Sequence, residues 1–102
     1  MLNRNIVVVG ASAGGVEALI KLVSLLPASF PAAVVITIHF PSWGVSFLPQ
    51  ILTRAGSLPA RHPQDGELIQ PGQIYIAPPD HHLLLQPDRI YLSRGPRETG
   101  HR

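Results

Sequence analysis

Two short apolar runs on either side of an amphipathic stretch constrain the fold of this chain most. The runs are Asn5–Val9 and Ala33–Ile38, which are rich in β-branched residues and lack the alternation of a half-buried strand. Such runs are typical of strands buried on both faces, as in a parallel sheet. Between them, apolar residues recur at helical spacing from Val16 to Leu26. A strand, a helix and a strand within about thirty residues predict a βαβ unit with a right-handed crossover.

The rest of the chain adds shorter elements. Val45–Ala55 is predicted to form a second helix, and Gln73–Ala77 a third strand. His82–Gln86 and Arg89–Ser93 flank the turn-forming pair Pro87-Asp88 and predict a C-terminal hairpin. With 102 residues, one α/β domain is the expected organisation.

Composition excludes several classes of protein. Hydrophobic residues make up 45% and charged residues 14%, a globular balance. The absence of cysteine rules out disulfides, a thiolate nucleophile and zinc-thiolate sites. The basic residues are scattered and do not interleave with aromatic residues, which argues against nucleic-acid binding. No apolar run is long enough to insert into a membrane and no secretory signal is evident, so we expect a cytoplasmic protein.

The glycine-rich stretch Gly10–Gly15 follows the first predicted strand and admits two interpretations. A dinucleotide-binding loop has the pattern G-x-G-x-x-G, but Ser12 stands at its middle glycine. Such a fold also places an acidic residue at the end of the second strand, where this chain has Ile38-His39-Phe40. Binding of a phosphate or nucleotide is therefore the less favoured alternative.

The second interpretation makes Ser12 a nucleophile. Gly10-Ala11-Ser12-Ala13-Gly14 fits G-x-S-x-G between a strand and a helix, the context this motif requires. Small neighbours allow a sharp turn that exposes the hydroxyl, and the following helix N-terminus favours a developing oxyanion. A serine that merely caps the helix is an open alternative.

His39 is the candidate general base for Ser12. Each residue follows the carboxyl end of a predicted parallel strand, so both lie at the same edge of the sheet. Neighbouring strands are about 4.8 Å apart, which allows side chains from adjacent strand ends to meet. Open α/β sheets bind their ligands at this edge.

The other histidines carry weaker signals. His81 and His82, with Asp80, could suggest a metal site, but a polar loop that enters the hairpin is the favoured interpretation. His62 and His101 show no pattern. We therefore predict neither a metal nor an organic cofactor.

Taken together, these motifs make the sequence resemble the catalytic domain of the bacterial chemotaxis protein-glutamate methylesterases, the CheB family. The similar blocks are spread over nearly the whole chain from Ile6. They are GASAGGVEAL, ITIHFP, DGELIQPGQIYIAPPDHHLLL and RGPRETGHR. Several spaced blocks are far more specific than any single motif.

The resemblance implies a three-layer α/β domain around a mostly parallel sheet. It also implies hydrolysis of methyl esters on the glutamates of chemoreceptors, often with deamidation of receptor glutamines. By position, it makes Ser12 the nucleophile and His39 its general base. The expected partner is a methylated chemoreceptor or a receptor-like protein in chemotaxis-type signal transduction.

The chain departs from the family pattern in three respects. Ala13 stands where the family commonly has threonine or serine, and we expect no receiver domain before the catalytic residues. The family's triad aspartate lies in a later glycine-rich block, beyond Arg102. Asp65, Asp80 and Asp88 match other family positions, in turn-like segments.

These departures lead us to expect that residues 1–102 are the N-terminal part of a methylesterase domain. We expect this part to be nearly inactive and marginally folded, with apolar surface and strand edges left exposed. An inactive binding module of the same fold is the main alternative.

Overall fold

A computed structural model describes residues 5–12, 15–39, 47–78 and 81–94. Seven strands and two helices occupy these residues. In chain order they are β1 (Asn5–Ser12), α1 (Val16–Ser24), β2 (Ala32–His39), α2 (Leu48–Ala55), β3 (Ala60–Arg61), β4 (Glu67–Leu68), β5 (Ile74–Ile76), β6 (His81–Leu85) and β7 (Arg89–Arg94).

The strands form two sheets. The main sheet has the order β1-β2-β5-β3, and all of its pairings are parallel. The second sheet has the order β4-β7-β6 and is antiparallel, with β6 and β7 forming the hairpin predicted from sequence. The predicted α/β class, with a mostly parallel sheet and a C-terminal hairpin, is confirmed.

The main sheet is the middle of three layers. On one face, α1 and α2 cover the strands with Leu19, Val23, Leu48 and Leu52. On the other face, the second sheet and the loop before β5 pack against β2 and β5. That side of the core is formed by Ala33, Val35, Ile69, Tyr75 and Ile90, with Ile6 and Leu83 at its margin. Burial on both faces explains why β2 is apolar without alternation from Ala32 to Ile36.

Strand β1 is less well covered than β2. Among the described strands, β1 has β2 as its one neighbour, so its other edge is open. Val7 and Val8 are 41% and 59% exposed, whereas Val34 and Val35 of β2 are 2% and 1% exposed. Among the described residues, apolar surface and one edge of β1 are thus uncovered, as expected from the sequence.

Some element bounds differ from the predictions. Strand β1 continues through Gly10, Ala11 and Ser12, which were predicted to begin a turn, because these residues keep pairing with β2. Strands β3 and β4 were not predicted, since two residues are too few to show a periodic pattern. Positions 45 and 46 of the predicted second helix lie outside the described residues, and α2 begins at Leu48.

Neither helix in the described part of the chain is long and apolar enough to cross a membrane.

Candidate active site

Ser12 and His39 occupy partner positions at the carboxyl ends of two adjacent strands. Ser12 is the last residue of β1 and is exposed, and His39 is the last residue of β2. The parallel register pairs the Cα positions of these two residues directly. The structure therefore brings the predicted nucleophile and the predicted base to neighbouring points on one sheet edge.

Helix α1 begins just beyond Ser12 without using its hydroxyl. The N-cap is Gly15, and no side-chain hydrogen bond caps the helix. A Cβ added at Gly15 would lie 3.2 Å from the Ala11 Cβ, so a residue without a side chain allows the helix to start close to β1. The interpretation of Ser12 as a helix cap does not fit this arrangement. Ala13, Gly14 and Phe40 of the sequence motifs lie outside the described residues.

The carboxyl edge of the sheet is stepped. Ile36 of β2 pairs with both Val9 of β1 and Ile76 of β5. From that level β1 and β2 continue for three more residues, to Ser12 and His39, whereas β5 ends at Ile76. Ser12 and His39 thus stand on the higher part of the edge, beside the lower ends of β5 and β3.

His62 lies on the lower part of this edge, a position that sequence patterns did not single out. It directly follows β3, and its half-buried ring places Nδ1 2.9 Å from the carbonyl oxygen of Ile76. The sequence signal that could have identified His62 is the proline that follows it at position 63. That signal has a meaning only if the β3 segment pairs with β5, and the sequence does not reveal this pairing.

Comparison with known proteins identifies the family. The CheB methylesterase family profile matches residues 7–102. The chain belongs to the CheB methylesterase family. The crystal structure of the Thermotoga maritima CheB methylesterase catalytic domain superposes on this chain with a TM-score of 0.81, and the two sequences are 33% identical. The match covers 93% of this chain and 52% of that domain.

Curated relatives support the same assignment. A protein-glutamate methylesterase/protein-glutamine glutaminase of Methanosarcina mazei is 36% identical over 97% of this chain. A relative of the same description from Myxococcus xanthus is 40% identical over 95% of it. The chain spans 29% and 28% of these two relatives, so it corresponds to less than a third of their length.

The described aspartates of this CheB family chain lie away from Ser12. The Asp65 carboxylate accepts a 2.8 Å hydrogen bond from the backbone N–H of Leu92 in β7. Asp88 lies in the hairpin turn, and Asp80 is outside the described residues. Neither described aspartate therefore follows β1 or β2, at the edge where Ser12 and His39 lie.

The remaining histidine candidates are part of the hairpin. Nε2 of His81 accepts a 3.2 Å hydrogen bond from the Arg94 guanidinium, which joins β6 to β7. Within residues 5–12, 15–39, 47–78 and 81–94, no three His, Asp or Glu side chains gather as a metal site would require.

The clearest electrostatic feature is an ion pair on the far side of the sheet from β1. The Arg61 guanidinium donates to both carboxylate oxygens of Glu67. This hydrogen bonding lowers the pKa of Glu67 below its ordinary value of 4.5, against the opposing effect of burial, and the backbone N–H of Gln64 adds to the lowering. It also raises the pKa of Arg61. The pair joins β3 to β4 and takes no part in the arrangement around Ser12.

Proposed function

We propose that this chain supplies the nucleophile and the general base of a serine carboxyl-ester hydrolase that acts on protein glutamate methyl esters. The single observation that carries the proposal is the direct register pairing of Ser12 with His39 at the carboxyl edge. Family membership supports the substrate class, because similar proteins are named protein-glutamate methylesterases.

The proposed reaction is an acyl transfer in two steps. Ser12 Oγ attacks the ester carbonyl while His39 takes its proton, and that proton leaves with methanol. Water then attacks the acyl-enzyme with His39 again as base, which restores Ser12 and releases the glutamate carboxylate. The same steps on a glutamine side chain would release ammonia, in keeping with the glutaminase part of the relatives' names.

The complete triad also needs a carboxylate that orients and stabilises His39. In a serine protease, loss of the carboxylate lowers kcat about 10⁴-fold. We therefore propose that residues 1–102 form part of a methylesterase domain and reach full activity only with a further segment that supplies this group. The proposed setting is cytoplasmic, with a methylated chemoreceptor or receptor-like protein as substrate.

Labelling with a fluorophosphonate tests the nucleophile. We expect the reagent to modify Ser12, as located by peptide mass spectrometry, and Ser12→Ala to abolish labelling. Ser24→Ala is the matched control, since Ser24 is also exposed but its hydroxyl donates to the Lys21 carbonyl in α1. In a chain extended through the triad aspartate, Ser12→Ala should abolish ester hydrolysis as well.

Two outcomes would contradict the proposal. Labelling that persists in Ser12→Ala would assign the reactivity to another group. Complete lack of labelling in the extended chain would favour the alternative, an inactive binding module of the same fold.

A further inference from the structure

The hydrogen bond of His62 fixes the tautomer of its ring. Nδ1 lies 2.9 Å from the Ile76 carbonyl oxygen, which can only accept a hydrogen bond. In the neutral ring the proton must therefore be on Nδ1, and Nε2 carries the free lone pair.

This bond replaces one that the backbone cannot make. In the parallel pairing of β3 with β5, the N–H of Ile74 donates to the Pro59 carbonyl at 2.9 Å, and alternate residues of β5 bond toward β3. By the same alternation, the Ile76 carbonyl points toward residue 63, which follows β3 in the chain, and would accept a hydrogen bond from the N–H of that residue. Pro63 has no N–H to donate. The His62 side chain satisfies the carbonyl instead, which explains why the ring is held in place.

The second nitrogen of the ring remains available. Within the described part of the chain, Nε2 of His62 makes no hydrogen bond, and Ser93 Oγ is the one polar side-chain atom that is both buried and unpaired. Nε2 is therefore accessible from outside. A ring with a fixed orientation and a fixed tautomer is a preorganised hydrogen-bond acceptor.

The position of the ring relates it to Ser12. Strand β5 lies two strand spacings from β1, and its last residue is three residues below the level of Ser12. These steps place the ring about 15 Å from Ser12 along the stepped carboxyl edge. About five residues of an extended chain, or about ten of a helix, span that distance.

We propose that His62 is a substrate-binding residue whose Nε2 accepts a hydrogen bond from an N–H or O–H side-chain donor of the protein substrate. The contact lies about 15 Å from the ester that reacts at Ser12. The proposal rests on the proposed function for its substrate class, and it adds a second point of attachment that orients the polypeptide across the sheet edge.

Two variants separate binding from structure. His62→Asn places an amide N–H near the position of Nδ1, so it can keep the bond to Ile76, but it has no counterpart of Nε2. His62→Ala removes both groups. The probe is a fluorescein-labelled peptide with one central glutamate γ-methyl ester and glutamines about five and about ten residues to either side. A matched peptide has alanine in place of these glutamines.

Fluorescence anisotropy measures binding to the full chain. We expect His62→Asn to bind the glutamine peptide about five- to tenfold more weakly than the wild type does, which is the effect of one hydrogen bond. We expect both proteins to bind the alanine peptide equally. The melting temperature of His62→Asn should match the wild type, whereas that of His62→Ala should fall. Long-range ¹H–¹⁵N spectra of the imidazole should show the Nδ1–H tautomer of His62.

Each contrary result overturns the proposal. These results are equal binding of the glutamine peptide by wild type and His62→Asn, no binding by the wild type, or an Nε2–H tautomer. Fluorophosphonate labelling of Ser12 is run in parallel on the chain extended through the triad aspartate, as a separate test of the proposed function. If Ser12 of the extended chain fails to react while His62→Asn still weakens peptide binding, the proposed esterase function is wrong and the peptide contact stands.

Discussion

Gly56 ends α2 at a point where two helices nearly touch. A Cβ at this position would lie 2.5 Å from the carbonyl oxygen of Val23 in α1, and a backbone atom cannot swing aside. The φ of Gly56 is −154°, an extended value that any residue adopts, so its small size is what matters here. Close approach of the helix ends, rather than an unusual backbone conformation, selects glycine.

We expect Gly56→Ala to lower the free energy of unfolding by about 1–3 kcal/mol, because the added methyl forces α1 and α2 apart. Gly10→Ala is the matched control, since its new Cβ would meet Thr37 Oγ1 at an ordinary 3.6 Å. Urea denaturation measures both variants. Equal stability of the two would show that the helix ends separate at no cost.

Among the short elements, β3 and β4 are joined by the Arg61–Glu67 pair. Strand β3 belongs to the main sheet and β4 to the second sheet, so this pair connects the two layers. The Arg61 guanidinium also lies 5.5 Å from the centroid of the buried Tyr75 ring. Two-residue strands contribute few ladder bonds, and these side chains hold them in position.

Glu67→Gln should lower the free energy of unfolding by about 0.5–1 kcal/mol at pH 7, because the pair is partly exposed to solvent. The folded state lowers the pKa of Glu67, so its stabilisation is present above the ordinary pKa and is lost as pH falls through the lowered value. The difference between wild type and variant should therefore vanish in acid. Urea titrations at pH 7 and below the lowered pKa test this.

The control for this experiment is Asp88→Asn, whose carboxylate forms no ion pair with any residue that the structure describes. It should show a smaller change at pH 7. A stability gap for Glu67→Gln that persists unchanged into strong acid would contradict the assigned role of the ion pair.

Periodicity decided which elements were predictable. Strand β1, α1, β2 and the hairpin are long enough for apolar spacing to mark them, and the pairing of Ser12 with His39 follows from two adjacent parallel strands. Strands β3 and β4 carry no such pattern. His62 could not be found because its role depends on a carbonyl fourteen positions away, at Ile76. The catalytic roles of Ser12 and His39 remain predictions.

At the scale of the whole molecule, the open edge of β1 is the main liability. The strand has eight residues, no charge and no proline, and it exposes Val7 and Val8. Proteins normally protect such edges with charges, bulges or a covering segment. We expect the 102-residue chain to self-associate through this edge, and an extended chain that covers β1 to do so less.

Val8→Lys should therefore reduce self-association, as measured by sedimentation velocity, because a charge on the edge opposes strand pairing. Leu25→Lys is the control, since it removes a side chain that is 78% exposed but lies beyond the end of α1. A wild-type chain that is a cooperatively melting monomer and cleaves a receptor methyl ester as fast as the extended chain would refute both the exposed-edge and the incomplete-triad arguments.

The place of β5 in the sheet has a consequence for synthesis on the ribosome. Strand β5 lies between β2 and β3, although β3 precedes it in the chain. The β1-α1-β2 unit can form as soon as it emerges, but β3 has no sheet partner until residues 74–76 follow. Strand β4 likewise waits for β7. A nascent chain therefore carries an unpaired edge of β2 from the synthesis of residue 39 until residues 74–76 follow, and these three residues determine when that edge closes.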